Sequence, residues 1–235
     1  MPDHTHKQFD TEMEAIRSGV LTMGGLVETQ LSRAIALLEG DESGSLAAQV
    51  SADEQVINQM QVDMDLACSQ IIAKRQPTAI DLRMVLTVTK IVNDLERVGD
   101  ETKKVAKKAT QEAQNSRLAQ VRCFDAARAA GRAKEMLQLA LDGFARLDVN
   151  AAAEVIDMDD EIDAAFSAIM RQLISYMMED PRTITPALEI VFMAKSIERI
   201  GDHAKNIAEA VVQVVKGIDV RHATAEQIRA EVAES

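Results

Sequence analysis

One stretch of this chain occurs twice. Residues 94–105 read DLERVGDETKKV and residues 196–207 read SIERIGDHAKNI. Glu96, Arg97, Gly99, Asp100 and Lys103 thus recur, 102 residues on, as Glu198, Arg199, Gly201, Asp202 and Lys205. The apolar frame repeats at the same offset. Met84, Val88, Ile91, Leu95, Val98, Thr102, Val105 and Ala109 step by four and three, and their counterparts are Pro186, Ile190, Met193, Ile197, Ile200, Ala204, Ile207 and Val211. Such steps lay one apolar seam along a helix. A chain with two copies of one seamed helix has to build similar helical packing twice.

The remaining sequence supplies the partner helices. Nothing between Pro77 and Pro181 interrupts a helix on proline grounds. Trp is absent, aromatic residues are 3%, and Ala, Leu, Met, Glu, Lys, Gln and Arg dominate, a composition that favours helix. Polar breaks fall at Gly40–Gly44, Arg75–Thr78, Gln114–Ser116, Asp148–Asn150, Glu179–Pro186 and Lys216-Gly217. They predict six helices near 6–39, 43–74, 78–113, 117–147, 150–178 and 186–216, each about 45 Å long at 1.5 Å per residue. Thr185 reads as the N-cap of the sixth, with Pro186 at its first position. Short connections make neighbours antiparallel. The expected fold is all-α, with two pseudo-repeated three-helix bundles over 1–115 and 116–217 joined near Asn115. A polar tail, 218–235, carries one short helix over 225–232. A second stripe, Leu82, Leu86 and Thr89 matched by Ile184, Leu188 and Val191, predicts that the third and sixth helices bury apolar surface against two neighbours.

Followed along the helix, that second stripe turns acidic. Glu96 and Asp100, and Glu198 and Asp202, lie only about 40° apart around their axes. Like charges at this spacing repel, and Gly99 and Gly201 each cost about 1 kcal/mol inside a helix. Both costs recur in both copies, so something should offset them. Weaker counterparts sit in the second and fifth helices, as Glu54 with Asn58 and Asp159 with Asp163. The point midway between the first two motifs is Pro77, and between the last two the Asp180–Pro181 junction. An antiparallel hairpin folded there sets the paired motifs at one height. Three or four carboxylates at one level suit a hard cation such as Mg, Mn, Ca or Fe. The competing reading is a solvated acidic face balanced by Arg97, Lys103, Arg199 and Lys205. Glu28 is a weaker candidate, placed near residue 55 by reflection about the first turn but with Lys134 as its counterpart. The pair Gly24-Gly25 fits either a kink or a close helix contact.

Charge and cysteine usage narrow the function classes. With 38 acidic and 26 basic residues the formal net charge is −12, which repels phosphate backbones and anionic lipid and argues against nucleic acid as a partner. No stretch approaches the apolar length of a membrane helix, and the N-terminus has no signal core, so a cytoplasmic location is expected. Cys68 and Cys123 have neither metal-pair nor disulfide spacing and read as half-buried apolar residues.

At ERVGD and ERIGD, and at TMGGLVETQLS, CSQIIAKRQPTAIDLR, RQLISYMMEDPRTI and VKGIDVRH, the chain resembles the PhoU family of bacterial phosphate-transport accessory and regulatory proteins. The resemblance implies two three-helix bundles whose E(D)xxxD motifs hold mono- or multinuclear metal clusters. It implies a negative regulator of the phosphate-starvation response that links the phosphate ABC transporter, through its ATPase subunit, to a membrane sensor histidine kinase. It also implies restraint of phosphate uptake, and a homodimer. The motifs land on Glu96 and Asp100, Glu198 and Asp202, and Asp159 and Asp163, with Mg, Mn, Fe or Zn as the expected ions. At Glu54 the pattern departs, because Asn58 stands where a second acid would be. An amide oxygen can ligate but adds no charge, so the first-half site is expected to be the weaker.

Two other classes compete with the adaptor reading. A metal-dependent bundle enzyme lacks, in this sequence, a histidine at the motifs, a nucleophile–base pair and a phosphate-cradling glycine loop. A phosphotransfer module needs an exposed mid-helix histidine. His203 is the candidate, since His222 lies past the last long helix.

Overall fold

The computed structural model describes residues 2–41, 44–112, 117–221 and 225–233, with side chains over 7–41, 44–110, 125–221 and 226–230. The backbone is helical almost throughout: α1 (Pro2–Leu38), α2 (Leu46–Arg75), α3 (Ala79–Glu112), α4 (Arg117–Arg146), α5 (Val149–Glu179), α6 (Ile184–Lys216) and a short α7 (Ala225–Ala233). No strand occurs among the described residues. Helices α1, α2 and α3 pack on one another, as do α4, α5 and α6, which gives the two three-helix bundles. The bundles lie side by side through α3 against α6 and α1 against α4. The joint near Asn115, His222 and the side chain of Cys123 lie outside the described residues; Cys68 is buried.

The repeated seam is the core. Val88, Ile91, Leu95, Val98 and Val105 are buried, and so are Ile190, Met193, Ile197, Ile200, Ile207 and Val211. Each aliphatic side chain buried in this way contributes about 1.5–3 kcal/mol. The second stripe behaves otherwise. Leu86, Ile184 and Leu188 are 49%, 42% and 43% exposed. The bundle neighbour of α3 is met one step further round the helix, along Val85, Val92 and Gly99, where Ile57 of α2 packs. Leu86, Ile184 and Leu188 point between the two contact directions, whereas Leu82, Thr89 and Val191 of the same stripe are half-buried, Thr89 beside Cys68 of α2 and Val191 against the core.

Close approach explains two of the helix-interior glycines. A methyl group on Gly99 would lie 3.3 Å from Ile57 of α2, and one on Gly201 would lie 3.0 Å from Ile162 of α5. Tight packing of the isoleucines therefore offsets the propensity cost in both copies. The pair in α1 divides: Gly24 lies against Leu141 of α4, whereas Gly25 faces open space. A close contact between bundles, not a kink, accounts for Gly24.

Helix ends follow local chemistry. Gly217, at φ 76°, ends α6 with its N–H on the Gln213 carbonyl. Asp148 caps α5 by accepting from the N–H groups of Asn150 and Ala151. Thr185 does not cap α6. Asp180 accepts from Arg182 N–H and holds a single 3-10 turn, Pro181–Thr183, which runs straight into α6 at Ile184. Pro186 is then the third helical residue, where the N–H has no intrahelical partner in any case. Beyond Gly217 the chain turns back over the second bundle, with Val220 and Ile228 buried and Arg229 paired to Asp157. No helix among the described residues is long and apolar enough to cross a membrane.

Helices α3 and α6 run antiparallel, since Lys108 meets Glu189 at one end and Lys90 donates to Gln213 at the other. The contacts between them respect the repeat. Asp94 meets His203, the counterpart of Glu101; Glu101 in turn lies beside Ser196, the counterpart of Asp94. Such reciprocity relates the two bundles by a pseudo-two-fold axis through the α3–α6 contact.

Candidate functional site

The hairpins bring the acidic motifs together as folding about Pro77 and Asp180–Pro181 predicts. In the first bundle Glu96 of α3 feels the charges of Asp100 on its own helix and Glu54 on α2. In the second, Asp163 of α5 feels Asp159 and Glu198, and Asp202 of α6 feels Glu198, Asp159 and Asp163. Burial first, and these like charges second, push the carboxyls of Glu96, Asp163 and Asp202 above the usual carboxylate range.

Lysines hold three of the other carboxylates, Glu54, Asp159 and Glu198. Lys103 donates to Glu54 at 2.8 Å and Lys205 donates to Asp159 at 2.6 Å. These are the same pair in the two repeats, and Glu54 and Asp159 are each 7% exposed. Burial disfavours the Lys205 ammonium, but the hydrogen bond to Asp159 and the charges of Asp159, Glu209 and Asp202 together outweigh it and raise its pKa. Lys195 pairs with Glu198, which has no equivalent in the first bundle because Asn93 stands at that position. Arg97 lies 3.5 Å from Glu96, whereas Arg199 turns away to Glu101 of α3. Asn58 donates to Glu54 at 3.0 Å, and its own Oδ1 is buried without a hydrogen-bond partner. With the lysines in these positions, no group of three or more His, Cys, Asp or Glu side chains among the described residues is placed to hold a metal ion.

Two sequence candidates lie elsewhere. Glu28 accepts from Gln138 of α4 at 2.8 Å, so it belongs to the contact between bundles rather than to the first acidic group. His203 is half-buried, its Nδ1 2.8 Å from Asp94 of α3, and Asn206 donates to the same carboxylate. A histidine engaged in this way does not present the freely exposed imidazole that phosphotransfer requires.

Sequence reasoning missed the polar bridge across the bundles. Burial opposes ionisation of Glu101, but hydrogen bonds from Lys104, Ser196 and Arg199 outweigh it and hold the carboxyl below its ordinary value. The signal was available in the repeat, where Asp94 against Ser196 and Glu101 against His203 are the polar mismatches flanking the motif. A half-open cleft of about 230 Å³ was also missed. It lies beside Asp94 and Asn206 and is closed on one side by Asp219 and Arg221 of the tail.

Tandem three-helix bundles with a carboxylate group on each α2–α3-type hairpin define a class of repeat proteins. The chain belongs to the PhoU family: the family described as "PhoU domain" matches residues 20–109 and again 126–211, one match in each bundle. It is 44% identical to the phosphate-specific transport system accessory protein PhoU homolog of Pseudomonas aeruginosa, covering 97% of this chain and 94% of that one. It is 42% identical to the PhoU accessory protein of Escherichia coli K12, over 96% and 92% of the two chains. Among solved structures it resembles PhoU from P. aeruginosa, with a TM-score of 0.83 and 43% identity over 89% of this chain and 100% of that one. The phosphate transport system regulatory protein PhoU from Streptococcus pneumoniae superposes with a TM-score of 0.80 at 26% identity, over 90% and 99%.

Proposed function

We propose that this protein is a negative regulator of the phosphate-starvation response. It acts in the cytoplasm as an adaptor between the phosphate ABC transporter, through its ATPase subunit, and a sensor histidine kinase, and it restrains phosphate uptake. The observation that carries this reading is similarity along nearly the whole chain to relatives named as accessory proteins of phosphate-specific transport. The architecture agrees with it. Two long bundles joined side by side give an extended surface for protein contact, and the two repeat-related lysines of the acidic groups are committed to Glu54 and Asp159 rather than set beside a nucleophile. A homodimer is part of the same reading.

Metal binding belongs to the proposal as a structural or tuning element. The donor chemistry fits a hard cation: repelling carboxylates meet on each hairpin, and Asn58 Oδ1 has no partner of its own. Asp159, Asp163, Glu198 and Asp202 would hold the ion in the second bundle, and Glu54, Asn58, Glu96 and Asp100 in the first. A bound divalent or trivalent ion (Mg, Mn, Fe or Zn) would supply positive charge where carboxylates repel. Lys195 and Lys205 supply part of that charge already, so they must yield as the ion enters.

Deletion of the gene in its host tests the adaptor reading. Phosphate-scavenging genes, an alkaline phosphatase for instance, should switch on in phosphate-rich medium and fall silent again when the gene is restored. Continued repression in the deletion strain, with turnover of a phosphorylated substrate by the purified protein, would replace the adaptor by an enzyme.

A further inference from the structure

The pseudo-two-fold axis provides an internal control. Whatever the packing of α3 on α6 demands at one end of the contact, it demands at the other. The two ends nevertheless differ in charge. Where α6 carries Asn206, Glu209 and Ala210, α3 carries Lys104, Lys107 and Lys108. Where α3 carries Lys90 and Asn93, α6 carries Phe192 and Lys195. One end is therefore the polar cleft closed by Asp219 and Arg221. The other is a basic patch around an aromatic ring, on a chain whose net charge is −12.

The patch is open. Lys104 is 51% exposed at its side chain, Arg199 53%, and Phe192 is 54% exposed with Leu188 one turn away on the same side of α6. Lys108 Nζ sits 5.1 Å from the centre of the Phe192 ring, which fixes the ring beside the cations. Glu101, Glu189 and Glu198 answer part of the positive charge; Glu101 is itself buried beneath Lys104 and Arg199. An exposed phenylalanine costs solubility and contributes nothing to packing that its counterpart Lys90 does not manage without it.

We propose that this end of the α3–α6 contact is the docking site for an acidic protein segment, one that sets carboxylates on Lys104 and Lys107 and an apolar side chain against Phe192 and Leu188. Charge complementarity selects the occupant. A narrow acidic segment meets the patch alone, whereas a broad anionic bilayer would also meet the acidic remainder of the molecule and be repelled. A free inorganic anion has no use for Phe192. The inference rests on the adaptor reading, and the segment belongs to one of the transport-system partners that reading requires.

The test uses the full chain and three purified probes: the reconstituted phosphate transporter of the host, the cytoplasmic part of its histidine kinase, and vesicles containing phosphatidylglycerol. Phe192→Ser and the pair Lys104→Gln with Lys107→Glu are compared with a control of equal charge change, Lys74→Glu with Lys90→Gln, at exposed positions away from the patch. Unchanged circular dichroism and melting exclude misfolding. Expected is a tenfold or greater loss of affinity for one protein probe in both patch variants, less than twofold in the control, and wild-type affinity that falls as salt rises. Wild-type binding that all variants retain overturns the docking site and leaves the adaptor standing. Effects confined to vesicles, or to self-association in sedimentation, also overturn it. A wild-type chain that binds neither protein overturns the adaptor reading, and the docking site with it.

Discussion

At the scale of single residues, the acidic groups carry an electrostatic cost that can be measured. The folded-state pKa values of Asp163 and Asp202 are raised, first by burial and then by neighbouring carboxylates. A carboxyl raised on folding contributes stability that is fully present below its unfolded pKa and lost as pH rises through the folded value. In chelated protein, Asp202→Asn should therefore raise Tm by roughly 1–3 °C at pH 7. That gain should shrink toward zero as pH falls to the ordinary carboxylate range. A gain independent of pH would mean that repulsion is not its source. The same substitution bears on metal. Glu198→Gln with Asp202→Asn should remove more bound metal per chain, by elemental analysis of natively purified protein, than Glu96→Gln with Asp100→Asn, because Asp163 adds a carboxylate where Asn58 has none. Equal losses, or metal in neither half, would sink the ranking. These positions were legible in the sequence because i,i+4 spacing and hairpin reflection depend only on chain geometry. The lysines on Glu54, Asp159 and Glu198 were harder to assign. Long flexible side chains choose partners in three dimensions, and Arg199, read as a counter-ion of its own motif, reaches Glu101 on another helix.

Among the elements, helix identity was legible and helix surroundings were only half so. Seam periodicity, Gly217 and the absence of proline fixed six long helices to within a few residues. The mistaken cap at Thr185 arose because a 3-10 turn held by Asp180 has the composition of a loop. The second stripe held only in part: Leu82, Thr89 and Val191 are half-buried, but Leu86 and Leu188 share their spacing and point between neighbours. Periodicity reports which residues lie on one line, and not what faces that line. The paired glycines of α1 put this to a direct test. Gly25→Ala meets nothing and should stabilise the protein by about 0.5–1 kcal/mol through helix propensity. Gly24→Ala places its methyl 2.6 Å from Leu141 and should instead cost about 1–2 kcal/mol, as overpacking does. Urea unfolding of both variants decides the matter, and like signs would mean that α1 and α4 do not pack as closely as described.

For the whole molecule, the contact of α3 on α6 governs behaviour. It is lined by apolar side chains and crossed by Glu101, whose carboxyl is buried and bridged by Ser196 and Arg199 from the second bundle. Glu101→Ala should cost about 1–3 kcal/mol, since it strands two charged partners at the rim and a hydroxyl within. Helical signal and a fluorophore in either bundle should still report one coincident unfolding transition. Separate transitions in the wild-type protein would show that the bundles fold as independent units. The repeat made this contact foreseeable in kind, because two copies of one helix tend to meet about a two-fold axis, but the pairs that cross it depend on register, which periodicity leaves open. The axis has a further consequence, in the currency of heredity. Two identical subunits related by a dyad register every substitution twice, so neither end can change without the other. Joined in one chain, the halves mutate one codon at a time. The molecule can thus keep the stability of a symmetric pair while giving its two ends different trades, and Phe192 opposite Lys90 is that freedom exercised.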